Sequence, residues 1–77
     1  MDDAAWQALE RQLMEAHEQG DTAGLIGAYT KAADVMEAQN RIDAACFYLT
    51  QAYVLALEAG ADELEALDQR LVAYGRN

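Results

Sequence analysis

The sequence predicts an all-α protein of four antiparallel helices, and three observations point there. Proline is absent from all 77 residues while alanine is abundant. Alanine carries the smallest entropic penalty in a helix and proline the largest. Gly20, Gly60 and Gly75 each follow an amphipathic stretch, where a helix commonly ends on a residue in the left-handed conformation. Asp21, Asn40 and Asp62 each precede the next stretch, where an N-cap side chain accepts from free backbone N–H groups.

The first helix is predicted over residues 3–19, with Asp3 as its cap. Trp6, Leu9, Leu13 and Ala16 recur at three- and four-residue steps and mark its apolar face. The second spans 22–39, with Leu25, Tyr29, Ala32, Ala33 and Met36 on one side and Ile26 beside them. Gly24 and Gly27 fall inside it, without a preceding strand that would make them a phosphate loop. They are expected to allow a close helix crossing. The fourth helix spans 62–74 and carries Leu64, Leu67, Leu71 and Tyr74, and Asp62-Glu63-Leu64-Glu65 has the form of a capping box.

The third helix, 41–59, differs from the others. Ile42, Ala45, Cys46, Leu49, Ala52, Tyr53 and Ala56 line one face, while Phe47, Tyr48, Val54, Leu55 and Leu57 fill much of the remainder. A helix apolar most of the way round is buried on more than one side. It is expected at the centre of a compact bundle, between the second helix and the first or fourth. A chain this short does not cover it fully, so Phe47, Tyr48 and Val54 are expected to form a patch for another chain. Connections of one to three residues place successive helices side by side and antiparallel.

Length fixes a single domain over 1–77. A domain of this size hides only about 60% of the surface of its unfolded chain, and the usual staples are missing. Cys46 is the only cysteine, so no internal disulfide forms, and no Cys/His cluster offers a structural metal site. The formal charge of −9, from 14 acidic and five basic residues, opposes binding to nucleic-acid phosphates or anionic membranes. No stretch reaches the ~20 apolar residues of a membrane span. The start, Met1-Asp2-Asp3, lacks the basic region of a signal peptide. A cytoplasmic location is expected, and a single free cysteine fits it.

Residues 29–53 carry a spaced pattern of their own. Tyr29, Ala32, Ala33 and Met36 stand on one helix, Asn40 at the turn, and Ile42, Ala45, Leu49 and Ala52 on the next. This resembles a tetratricopeptide repeat, a two-helix unit of roughly 34 residues, and the match covers about a third of the chain. The resemblance implies helix-turn-helix stacking and a role as adaptor, scaffold or chaperone-like binder of peptides or partner domains. Thr30 and Asp34 stand where one subgroup of that family grips a carboxylate with Lys and Asn, so that ligand does not carry over. Without the family name, small residues at 33, 45 and 52 still let two helices approach closely.

Residues able to do chemistry are few. Serine is absent, and His17 is the only histidine. Cys46 on an apolar helix face reads as a small inert hydrophobe. His17 reads as a surface residue favoured by the helix dipole, and its spacing to Asp21 is a weak metal signal. The acids of the first and fourth helices lie on polar faces or in first turns, without the Glu-x-x-His of di-metal bundles. No catalytic residue, cofactor or metal is therefore expected, and the chain is not read as an enzyme. The expectation is a small protein–protein interaction module forming a homodimer. Phe47, Tyr48 and Val54 would serve self-association, and Tyr29, Thr30, Lys31 and Asp34 would face a protein or peptide ligand. The alternative, supported by charge alone, is an acidic inhibitor or antitoxin-type regulator that binds a basic partner.

Overall fold

Backbone hydrogen bonding ends all four helices in the same way. The protein is described by a computed structural model over residues 3–76, which forms α1 (Asp3–Gln19), α2 (Thr22–Ala38), α3 (Ile42–Ala59) and α4 (Leu64–Ala73). Past each helix one N–H reaches back to a carbonyl five residues earlier. Asp21 donates to Ala16 at 2.8 Å, and Arg41 to Met36, Ala61 to Ala56 and Arg76 to Leu71 each at 2.9 Å. These are the long bonds of the Schellman motif, which needs a left-handed residue at the turn. Gly20, Asn40, Gly60 and Gly75 supply it, with φ of 63°, 60°, 64° and 71°.

The sequence pattern predicts Asn40 as the N-cap of α3; in the structure it closes α2 instead. Asparagine tolerates the left-handed region because its short polar side chain bonds locally. Arg41 takes the N-cap position of α3 without a side-chain bond. At α2 the expected cap is present: the Asp21 carboxylate accepts from the Gly24 N–H at 2.9 Å. Asp3 lies in the first turn of α1, not before it. The fourth helix starts two residues later than predicted. Asp62 and Glu63 lie in a turn in which the Leu64 N–H donates to the Ala61 carbonyl at 3.2 Å. The capping box does not form, because Glu63 occupies the N-cap position with no side-chain bond. Ala61 and Leu64 both pack against the core, and the chain needs that turn to bring both inward. The connection Gly60–Glu63 is thus four residues long.

Neither internal glycine of α2 serves a close crossing. A Cβ at Gly27 would meet nothing within 4 Å, and one at Gly24 would run into the Asp21 carboxylate that caps the helix. Alanine does the work of close approach instead. Ala32, Ala33, Ala45, Ala52 and Ala56 are all 0% exposed, so the α2 and α3 backbones come together with little side chain between them.

The helices form an open array, not the closed compact bundle expected from the sequence. α1 packs on α2, α2 on α3 and α3 on α4, and among the described residues no other pair of helices makes backbone contact. The result is a slab of 31 × 29 × 14 Å. One core, built around Ile26, Cys46, Leu49, Leu67 and Leu71, joins α2, α3 and α4. A smaller one joins α1 to α2 through Leu9, Ala28 and Ala32, with Trp6, Leu13 and Tyr48 against it. The third helix lies between α2 and α4, as its apolar circumference predicts. No described helix is long and apolar enough to cross a membrane.

Candidate protein-interaction surfaces

Because α3 has a neighbour on two sides only, part of its circumference stays open. Phe47, Val54 and Leu57 are 58%, 44% and 55% exposed. With the exposed Thr50 they recur at steps of three, four and three residues, which aligns them in one seam along the helix. The Thr50 hydroxyl donates to the Cys46 carbonyl at 2.8 Å, so the one polar member already has its donor satisfied. Residues 44–57, fourteen in all, contain no charged side chain. That is about 21 Å of helix without charge in a chain of net charge −9.

The self-association residues named from the sequence divide here. Phe47 and Val54 lie in the seam. Tyr48 does not: it is half-buried against both cores. Its ring meets Trp6 edge-on at 6.1 Å, stacks near Tyr29 at 6.3 Å and meets Phe47 edge-on at 5.4 Å. Such arrangements add to plain burial, and this one ties α1 to α3 where their backbones do not touch. Leu57 belongs to the seam but was not among the residues named, although its spacing from Phe47 and Val54 was readable.

The residues expected to face a ligand from α2 also separate. Tyr29 is half-buried on the core side. The half-buried Thr30 donates its hydroxyl to the Ile26 carbonyl at 2.7 Å. Lys31 and Asp34 do share a surface, the groove between α1 and α2. That groove holds about 300 Å³ at an apolar end formed by Trp6, Leu9, Val35 and Ala38. It continues past Gln12, Lys31 and Asp34.

Asp34 is also engaged elsewhere, in a polar strap from α2 to α4. The Arg70 guanidinium bonds Asp34 at 2.8 Å and also Glu37, and the Tyr74 hydroxyl donates to the other oxygen of Glu37. The Tyr74 bond holds the Glu37 carboxyl below the usual carboxylate range against a desolvation penalty, with Arg70 helping. The same carboxylate pushes the Tyr74 hydroxyl upward. The strap was not foreseen, because α2 and α4 are neither adjacent in sequence nor in backbone contact.

Among the described residues, groups with catalytic potential do not converge. Cys46 is buried on α3 and His17 exposed on α1, two helices without backbone contact. Asp21 is occupied as the α2 cap, so it does not join His17. Among the described residues no group of three His, Cys, Asp or Glu side chains could hold a metal ion. Comparison with protein-family models, with curated proteins and with solved structures finds no match to this chain.

Proposed function

We propose that the protein is a small helical interaction module, an adaptor or scaffold of tetratricopeptide-like architecture, that acts by contact and not by catalysis. One observation carries this reading: the uncharged seam of Phe47, Val54 and Leu57 left open on the helix that also builds the core. Large apolar side chains aligned on an exposed face lose water contact on binding, at about 25 cal/mol per Å² buried. The acidic remainder of the surface rejects wrong partners and limits nonspecific association. The serial packing of helices, with Ala33, Ala45 and Ala52 at the contacts, supports the architectural part. A cytoplasmic setting is consistent with the free thiol of Cys46.

Affinity capture from a bacterial or eukaryotic lysate, run in parallel with wild type and Phe47→Glu, tests the reading. The expected result is a protein, free copies of the chain added to the lysate included, that is retained by wild type and lost with the variant while helicity is unchanged. Identical retained sets for both chains contradict it. Retention that persists in Phe47→Glu but disappears steeply with salt would favour an acidic inhibitor of a basic partner instead.

A further inference from the structure

We infer that the α3 seam is covered by a second copy of this chain, with the two α3 helices antiparallel. The inference rests on the interaction-module reading and names its occupant. The first argument is spacing. Phe47, Thr50, Val54 and Leu57 follow the three–four pattern by which one helix presents knobs to another. A two-fold contact requires that a patch fit itself, with residue i against j and j against i. Turned antiparallel about residue 52, the seam does so: Phe47 lies opposite the partner's Leu57, and Thr50 opposite the partner's Val54. Each layer pairs a larger side chain with a smaller or similar one. The exposed helix between them brings no charge into the contact.

The second argument is the charge at the two ends. Arg41 precedes α3, and Arg76 comes back to the same end, where it pairs with Asp43 at 2.6 Å. Those are two of the five basic residues in the chain. The other end carries Glu58, Asp62 and Glu63, all exposed. In an antiparallel pair the arginine end of one copy meets the acidic end of the other, at both ends of the seam. In a parallel pair like would meet like. The end charges thus specify direction, and the seam supplies the burial.

The test is sedimentation velocity of the full chain at about 0.15 M salt, where the Debye length is about 8 Å and overall repulsion is screened. A reversible monomer–dimer equilibrium in the micromolar range is expected. Phe47→Glu, or Val54→Lys as a second variant, should weaken it by at least about 100-fold with unchanged circular dichroism. Arg76→Glu should weaken it about tenfold, and adding Asp62→Lys should restore it. A chain monomeric at about 1 mM overturns the proposal. It leaves the module reading intact if Phe47→Glu still loses a captured partner. A dimer that survives Phe47→Glu and Val54→Lys also overturns it, since another surface then holds the copies. A dimer indifferent to Arg76→Glu overturns the antiparallel arrangement.

Discussion

The α2–α3 hairpin and the helices flanking it are held by different means. Between α2 and α3 the contact is made by fully buried alanines with Ile26 and Leu49 filling the gaps. α1 is held by Leu9 and Ala16, with Trp6 leaning on Tyr48. α4 is held by Leu67 and Leu71 plus the Arg70–Glu37–Tyr74 strap. Each flanking helix packs its backbone on one neighbour only and buries two side chains. The hairpin is therefore expected to be the last part to open, and the edges the first.

The largest way to test that contrast is Leu49→Ala. It removes a side chain that is 0% exposed at the centre of the hairpin, and a loss of about 2–5 kcal/mol is expected in chemical denaturation. Leu71→Ala should fall in the lower part of the same range but act locally. Hydrogen exchange is expected to quicken in α4 while α2 and α3 keep their protection. Equal loss of protection in all three helices would mean that the array opens as one unit.

A smaller effect is expected at Asn40, whose φ of 60° favours glycine or asparagine over alanine. Asn40→Ala should cost about 1 kcal/mol, and Asn40→Gly should not, as read from urea midpoints.

The smallest effect concerns the strap. Glu37 has a folded pKa below the ordinary glutamate value of 4.5. Its contribution is present in full above that value and is lost as pH falls through the lowered folded one. Tyr74, raised above its ordinary 10.0, acts in the opposite sense: its contribution is lost as pH rises through the raised value. Urea unfolding in acid should show Glu37→Gln with a shallower decline than wild type. A decline of identical slope would remove Glu37 from the strap.

Much of the architecture was readable because it follows local rules. The glycines at 20, 60 and 75 mark helix ends through their freedom to take positive φ, and the apolar circumference of the third helix placed it between two neighbours. Asn40 was misread because asparagine suits both an N-cap and a left-handed C-terminal position, and only tertiary geometry decides between them. The fourth helix began late because Ala61 was drawn into the core, a packing effect that the acids at 62 and 63 do not reveal. Phe47 and Val54 were legible as candidates since a two-sided helix leaves an outer face. Tyr48 was named with them, yet it turns inward against Trp6, a contact the sequence does not reveal because it comes from a helix whose backbone never touches α3.

The claim that α3 is both core and the surface on which two copies meet is tested most directly by amide chemical shifts followed through dilution from about 1 mM to about 10 µM, a range that spans micromolar association. Shifts confined to residues 47–57, the Asp62–Glu63 turn and Arg76 are the expected result. A spectrum unchanged by dilution, or changes confined to the groove between α1 and α2, would contradict it.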